Sequence, residues 1–590
     1  MIAMRFLVSH GRAIALAVIV YCCLVLNACA SLPPTDAATT INSQVVESVL
    51  SDPKTFNAVL SEESPNIFGL TYEGLVQENP ITAEVEPRLA ESWEIADDQL
   101  NIIFTLREGL RWSDGAPLTV DDVVFSYNQL YFNEEIPTNV RDSLRVGQSK
   151  ILPTVTKLDE RRVQFSVPEP FAPFLRATSL SILPEHILAD TVTARDEDGD
   201  PLFISTWGID TPPEEIIVNG PYRLQRYETT QRLVFEPNPY YWRRDDQGQP
   251  LPYIQQIVWE IVESTDTALL QFRSGSLDRV AVSPEFFSLL KREEERGQFE
   301  IYNGGPAYGT SFISFNLNTG RRDGKPLVDP VKSRWFNDVR FRQAIATSID
   351  RQRMINNIFR GLGQPQNSPI SVQSPYYYEG LKGYDYDPER ARELFLEAGF
   401  RYNDRDELED ADGNRVRFAL ITNAGNKIRE AMGTQIQQDL RKLGIQVDFT
   451  PIAFNVLVDR LTNSLDWECF LLGLTGGNEP NGGANIWFTD GNLHMFNQEP
   501  QPGREPIIGR TIADWEEEIA NLYIQAAREL DEEKRKAIYA ETQRLAEEYV
   551  PFIYLVNPLS LGAVRDRFQG IEYSALGGAF WNIESLKLQE

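Results

Sequence analysis

The stretch NIIFTLREGLRWSDGAPLTVDDVVFSY, residues 101–127, decides the fold class because it joins a strand, a tight turn and the start of a helix. The strand is predicted by apolar side chains at alternate positions, which share one face: Ile102, Phe104 and Leu106. The pair Asp114-Gly115 predicts a turn. Thr119, followed three residues later by Asp122, predicts a helix that starts with a capping box.

The same succession recurs along the chain. Asp350 and Asp387 each precede a helical pattern and are predicted N-caps, while Gly399 and Gly444 follow one and predict helix ends. Residues 215–282 are richer in strand patterns. Alternating helices and strands indicate sheets covered by helices, so we predict an α/β or mixed α+β fold.

The length and the net charge of the chain limit its possible architecture and partners. A chain of 590 residues exceeds what one core usually needs, so two or more lobes are expected. The formal net charge of −30 repels phosphate groups, which excludes a nucleic acid as partner.

The N-terminus predicts a targeting segment over residues 1–28. Arg5 and Arg12 precede the apolar run 13–26, which is shorter than the roughly 18–20 residues of a spanning helix. An uncleaved anchor helix is the alternative. The sequence LNAC, residues 26–29, resembles the bacterial lipobox, which implies that Cys29 becomes the acylated N-terminus.

Cysteine use agrees with export. Cys22 and Cys23 lie in the predicted signal and Cys29 takes lipid, so Cys469 is left alone and no internal disulfide is predicted. Small and polar residues fill 29–45, which predicts a flexible tether.

A series of motifs along the chain resembles family 5 of the bacterial extracellular solute-binding proteins, which includes oligopeptide- and dipeptide-binding lipoproteins of ABC importers. The matching pieces, in chain order, are LAESWEI, FTLREGLRWSDGAPLTVDDVVFSY, ILPEHIL, NGPYRL, EPNPYYW, FRSGSLD, FNDVRFRQAIATSIDR, YDPERARELFLEAGF and DEEKRKAIYAETQRLAEEYVPFIYL. The resemblance implies the two-lobed fold of periplasmic binding proteins, with a hinge and an extra subdomain in the first lobe. The implied limits are 46–305 for lobe I with its subdomain, 306–553 for lobe II and 554–590 for the return to lobe I.

The resemblance also implies a ligand site around LTGGNEPNGG, residues 474–483. In oligopeptide-binding relatives, an aspartate four residues before this proline pairs with the amino terminus of the peptide; here that position is Gly476. Either Glu479 supplies the charge from a shifted position, or the ligand lacks the amine, as a modified peptide, a sugar-like molecule or another small solute would. A plain surface loop is the remaining interpretation. The predicted site residues in this stretch are Thr475, Gly476, Gly477, Asn478 and Glu479.

Two aromatic residues extend the predicted site. Phe454 stands where some relatives place a ligand-contacting tryptophan, and either an aromatic wall or core packing fits it. Trp487, just beyond the loop, is a further candidate.

Catalytic patterns are missing from the sequence. The three histidines, His10, His186 and His494, have no metal-ligand spacing, and no G-x-S-x-G, Walker or G-x-G-x-x-G motif occurs. We therefore predict no catalytic residue, metal or cofactor. A glycoside hydrolase with two carboxylates across a cleft, or a lipid-anchored scaffold or chaperone, stays open as an alternative.

The resemblance thus predicts a substrate-binding lipoprotein and not an enzyme. It would be a monomer, held at the cell envelope by its lipid, in the periplasm or on the outer face of the cytoplasmic membrane. It would capture a peptide or peptide-like solute and deliver it to the permease subunits of an ABC importer.

Overall fold

A computed structural model describes residues 44–60, 65–138, 140–147, 150–262, 264–500 and 505–589. The predicted signal peptide, Cys29 and most of the predicted tether lie outside these residues. Strand β1 begins at Gln44 and Val45 is buried, so the last two residues predicted as tether belong to a strand.

Helices and strands alternate throughout the described residues. The helices are α1 Phe68–Thr71, α2 Val120–Phe125, α3 Val140–Leu144, α4 Phe174–Ala177, α5 Glu185–Thr193, α6 Thr265–Ser274, α7 Pro284–Gly297, α8 Pro330–Asn337, α9 Val339–Thr347, α10 Arg351–Asn357, α11 Pro388–Glu397, α12 Lys427–Arg441, α13 Phe454–Asp459, α14 Ala484–Trp487, α15 Asp514–Arg528 and α16 Glu532–Tyr549. The strands are β1 Gln44–Val49, β2 Val76–Glu78, β3 Val85–Pro87, β4 Ala90–Ile95, β5 Asn101–Leu106, β6 Thr154–Lys157, β7 Arg162–Ser166, β8 Tyr222–Glu228, β9 Arg232–Pro237, β10 Gln256–Ile261, β11 Arg279–Ala281, β12 Phe299–Pro306, β13 Thr310–Phe315, β14 Arg321–Arg322, β15 Lys325–Pro326, β16 Gly363–Pro365, β17 Arg401–Tyr402, β18 Leu408–Glu409, β19 Arg417–Asn423, β20 Gln446–Ile452, β21 Cys469–Leu474, β22 Ile553–Tyr554, β23 Val556–Arg565, β24 Phe568–Gln569 and β25 Lys587–Leu588. The mixed fold class is confirmed.

The strand, turn and helix predicted over 101–127 are present. Strand β5 buries alternate side chains and sits inside the sheet β4-β5-β7-β6. Helix α2 starts with the predicted capping box, in which the Thr119 amide donates to the Asp122 carboxylate at 2.8 Å. The helix passes into a π-helix, Ser126–Tyr131, which buries Tyr127 and Leu130 against the sheet.

Two more sheets complete this part of the molecule. Strand β1 pairs in parallel with β10 in the order β1-β10-β9-β8. The long strand β23, near the C-terminus, lies between β11 and β12. The chain therefore returns, after residue 555, to a sheet that residues 279–306 began.

A five-stranded sheet of order β20-β19-β21-β13-β22 forms the centre of the other part. Its covering helices begin at the predicted caps: Asp350 accepts from the Arg353 amide at 2.8 Å, and Asp387 accepts from the Arg390 amide at 2.9 Å. Gly399 and Gly444 follow α11 and α12 with positive φ angles of 87° and 72°, the conformation that favours glycine at a helix end.

The hydrophobic interior divides in the same way. One large core is built from residues between 312 and 556, and the other from residues between 45 and 257 and between 564 and 586, with Ala527 added from α15. A third, smaller core joins residues between 262 and 299 to Leu561 and Ala563. Two short passages connect the parts, from β12 to β13 and from β22 to β23. The structure is thus two-lobed. Within the described residues, each helix is too short or too polar to cross a bilayer.

Candidate ligand-binding site

A cavity of about 530 Å³ lies where the two large cores face each other. One side is formed by Glu78 at the end of β2, Arg176 in α4 and Ser179. The opposite side is formed by β13, the loop after β21 and α14. Ligand sites of binding proteins commonly lie between two such bodies, because closure then removes the ligand from water.

Most of the predicted site residues meet in this cavity. Its lining includes Thr475, Gly476, Gly477, Asn478, Glu479 and Trp487. Trp487 also packs on Tyr523, with ring centroids 6.1 Å apart and nearly parallel planes. Phe454 is apart from this group: it opens α13, is 58% exposed and does not line the cavity, so the interpretation as core packing is wrong.

The loop after β21 lines the cavity and has backbone donors without a protein partner among the described residues. Thr475, Gly476 and Gly477 are exposed, and the N–H groups of residues 475–478 meet no acceptor within the part of the chain that the structure describes. Water can hydrate these exposed groups in the free protein, but a bound ligand that excludes water must supply acceptors for them. This run of donors therefore suits a ligand rich in carbonyl or hydroxyl oxygens.

Close packing explains why residue 476 is a glycine. A Cβ atom added at Gly476 would lie 2.1 Å from the carbonyl oxygen of Tyr308, whereas one added at Gly477 would meet nothing within 4 Å. Glycine at 476 lets this loop approach the segment before β13.

Glu479 is held by an arginine that the sequence analysis did not single out. Arg535 in α16 donates to both carboxylate oxygens, at 2.5 and 2.8 Å, and its side chain is only 4% exposed. The guanidinium also lies over the rings of Tyr376 and Tyr539, at 5.0 and 5.4 Å. Burial opposes the charge on Arg535, but Glu479 outweighs it and raises the pKa of the guanidinium.

Contacts across the cavity join the two lobes. Glu78 accepts from Arg176 at 2.8 Å and from the side-chain amide of Asn478 at 2.5 Å. Arg176 also lies 3.8 Å from Glu479. Charged groups of one lobe therefore reach the loop of the other.

A second cavity, of about 470 Å³, adjoins the first and shares Glu78 and Ser179 with it. Aromatic rings form part of its wall, among them Trp259, Phe580 and Trp581.

The second cavity also contains buried carboxylates. Glu73 accepts from Tyr241 and Trp242, both at 2.7 Å. Burial raises the pKa of this carboxyl, an effect that Arg88 and these two hydrogen bonds oppose.

A buried histidine supports the wall beside Trp487. His494 donates from Nδ1 to the carbonyl oxygen of Ile486, and its Nε2 lies 3.0 Å from the Glu516 carboxylate. Glu516 also accepts from the Asn497 side chain at 2.8 Å and from the Ala513 amide at 3.0 Å. One carboxylate thus anchors both the wall segment and the start of α15.

Substitution Glu516→Ala removes all these acceptors at once. We expect the free energy of unfolding to fall by about 2 kcal/mol, because buried donors lose a charged partner. Equilibrium urea unfolding measures the change. Glu518→Ala, at an exposed site on the same helix, is the matched control and should leave stability within about 0.5 kcal/mol of the parent. Equal losses for both would contradict an anchoring role.

Comparison with known proteins agrees with this geometry. The sequence profile of the bacterial extracellular solute-binding proteins, family 5, matches residues 84–494. A probable ABC transporter-binding protein of Deinococcus radiodurans is 31% identical over 548 residues, which cover 89% of this chain and 88% of that protein.

Solved structures share the fold. The oligopeptide-binding protein AppA of Bacillus subtilis, in complex with a nonapeptide, superimposes with a TM-score of 0.70 at 21% identity, covering 93% of this chain and 99% of that one. The periplasmic binding protein MelB of Agrobacterium fabrum, in complex with stachyose, gives a TM-score of 0.72 at 19% identity, covering 93% and 85%. The profile match, the relative at 31% identity and the two lobes around a cavity lead to one conclusion: the chain belongs to the bacterial extracellular solute-binding proteins, family 5.

Proposed function

We propose that this protein is the solute-binding component of an ABC importer, and that it captures a peptide or peptide-like solute for delivery to a membrane permease. The observation that carries the proposal is the cavity between the lobes, with its unpartnered backbone donors at residues 475–478. Such donors pair with the carbonyl groups of an extended peptide. The names of relatives support the class, since they include a transporter-binding protein and an oligopeptide-binding protein.

Closure of two lobes is the proposed mechanical step. Lobe I would comprise residues 46–305 and 554–590, lobe II residues 306–553, with the passages near 306 and 554 as the hinge. A ligand that contacts both lobes binds the closed state better than the open one, and so shifts the population toward it. The permease would then recognise the closed shape, and its ATPase partners would supply the energy of transport.

We also propose that the protein is a monomer, tethered by a lipid on the outer side of the membrane. The LNAC sequence at 26–29 would place a lipid on Cys29, and residues up to 43 would connect it to β1. Receptor and permease would then diffuse in one plane.

Ligand binding without turnover tests the proposal. Purified protein is heated in the presence of peptide mixtures, and the same mixtures are afterwards analysed by mass spectrometry. Thermal stabilisation with peptides recovered intact is expected, because a ligand that binds the native state raises its stability. Cleaved products would identify an enzyme, and an unchanged unfolding temperature with every mixture would favour the scaffold alternative.

The lipid anchor has its own prediction. In cells that express the full chain, Cys29→Ser should move the protein from the membrane fraction to the soluble fraction, because acylation requires the thiol. The mass of the parent protein, extracted with detergent, should exceed that of residues 29–590 by the acyl groups. A parent protein that is soluble, or one whose mass shows no added lipid, would contradict the proposal.

A further inference from the structure

We infer that the joined cavities select an uncharged ligand, namely a peptide whose amino and carboxyl ends are both blocked. The inference rests on the proposed function and concerns the chemistry of the peptide. It comes from the ionic balance of the cavity walls: each carboxylate that lines either cavity has an arginine of its own.

In the first cavity, both carboxylates are occupied. Glu479 accepts two hydrogen bonds from Arg535 and a third from the Asn481 amide at 3.1 Å. Glu78 gives one oxygen to Arg176 and the other to Asn478. A ligand ammonium would therefore meet carboxylates whose charge an arginine already balances.

In the second cavity, two further carboxylates show the same pattern. Glu47, which is 3% exposed, accepts from Trp259 at 3.1 Å and pairs with Arg279. Glu584, which is 4% exposed, accepts from Arg243 at 2.5 Å and from Arg88 at 3.3 Å.

Glu73 completes the set. Besides the hydrogen bonds from Tyr241 and Trp242, it lies 3.7 Å from Arg88. The two cavities therefore contain five carboxylates and are matched by five guanidinium groups among the described residues. The pairs are Glu47 with Arg279, Glu73 with Arg88, Glu78 with Arg176, Glu479 with Arg535 and Glu584 with Arg243.

This neutrality contrasts with the net charge of −30 on the whole chain. A charged group that enters a closed cavity loses its hydration and needs an opposite charge in return. Among the described wall residues, each carboxylate and each guanidinium already has an oppositely charged partner, so a charged group of the ligand finds no unbalanced charge. Arg176 illustrates this pairing, since besides Glu78 it donates to the carbonyl oxygen of Ala83 at 3.0 Å and lies 3.8 Å from Glu479.

The free groups of the first cavity suit an uncharged ligand. The N–H groups of residues 475–478 have no acceptor among the described residues. Apolar and aromatic side chains such as Trp487, Phe552 and Ile370 line other parts of the cavity. An amide chain with acetyl and carboxamide ends supplies acceptors along its length and carries no charge.

A competition experiment tests the inference on the whole mature protein. The probe is an equimolar library of tripeptides to pentapeptides without charged side chains, prepared half with free ends and half acetylated and amidated. Native mass spectrometry counts the retained peptides. We expect the blocked forms to be enriched at least tenfold. Equal retention or enrichment of the free forms overturns the inference and leaves the proposed function standing. If neither form is retained, the proposed function itself fails, and the inference with it.

A designed carboxylate gives the matched variant test. Thr475 is exposed, lines the first cavity and has no side-chain hydrogen bond within the described residues, so Thr475→Asp adds a carboxylate to the wall without breaking a hydrogen bond. Thr475→Asn has the same shape without the charge. Relative to Thr475→Asn, we expect Thr475→Asp to shift retention at least fivefold toward peptides with a free amine and an amidated carboxyl end. No shift between the two variants would show that wall charge does not set the selectivity, and would overturn the inference.

Discussion

Arg535→Met is expected to lower the free energy of unfolding by about 3–5 kcal/mol, because it leaves the Glu479 carboxylate unpaired in a buried position. The side chain of Glu479 is only 12% exposed, so water cannot replace the lost guanidinium fully. Methionine keeps the length and the apolar part of the arginine side chain, which limits the loss of packing. Equilibrium urea unfolding, followed by tryptophan fluorescence, measures the change.

The double variant Arg535→Met/Glu479→Gln separates charge from packing. It should recover most of the loss, since it removes the unpaired charge together with its former partner. Arg544→Met is the matched control: Arg544 lies on the same helix, is 47% exposed and pairs with Glu541 and Glu548, so its loss should cost at most about 1 kcal/mol. Equal effects at positions 535 and 544 would show that the buried pair adds no stability of its own.

Gly476→Ala is expected to weaken ligand binding about a hundredfold, which corresponds to about 2.7 kcal/mol. The added methyl group would lie 2.1 Å from the carbonyl oxygen of Tyr308, so the loop must move away from β13. That movement displaces the backbone donors at 475–478, which the ligand needs in register. Isothermal titration with a peptide that the parent protein retains measures the loss.

Gly477→Ala provides the comparison for this substitution. A Cβ atom added at Gly477 meets nothing within 4 Å. We therefore expect the ligand affinity of this variant to stay within about threefold of that of the parent protein, a difference of roughly 0.7 kcal/mol in binding free energy. Neither glycine has a positive φ angle, so the contrast isolates the steric contact. Similar losses in both variants would instead point to loop flexibility as the property that binding requires.

The sequence predicts those parts of the fold whose causes are local. The alternation of Ile102, Phe104 and Leu106 and the Thr119–Asp122 capping box lie within a few residues of each other, and the structure confirms them. Caps such as Asp387 are likewise read from three or four residues. The two-lobed architecture is predicted by the family resemblance instead, because no local pattern in the sequence contains it.

The pairing of charges across the site could not be predicted in this way. Arg535 stands in the charged run DEEKRKA, where an arginine ordinarily faces water, and Lys536 beside it does remain partly exposed. Only the packing of α16 against the loop after β21 places Arg535 under Glu479, 56 positions earlier in the chain. Glu78 and Arg176 were missed for the same reason, because their contacts depend on how the lobes meet.

Phe454 shows the limit of reasoning by resemblance. An aromatic residue at a position that contacts ligand in relatives was predicted either to line the site or to fill the core. In this chain it opens α13 with its side chain 58% exposed.

The burial of Cys469 offers a practical route to the motion between the lobes. It is the single cysteine in residues 44–590, it is fully buried at the start of β21, and burial raises the pKa of its thiol well above the usual range. Thiol-reactive spin labels will therefore attach to introduced cysteines and leave this one untouched. Cysteines can be introduced at the exposed positions Glu160 and Asp412 and spin-labelled. The dipolar distance distribution between the two labels would then report opening and closing of the lobes, without signal from a label on Cys469.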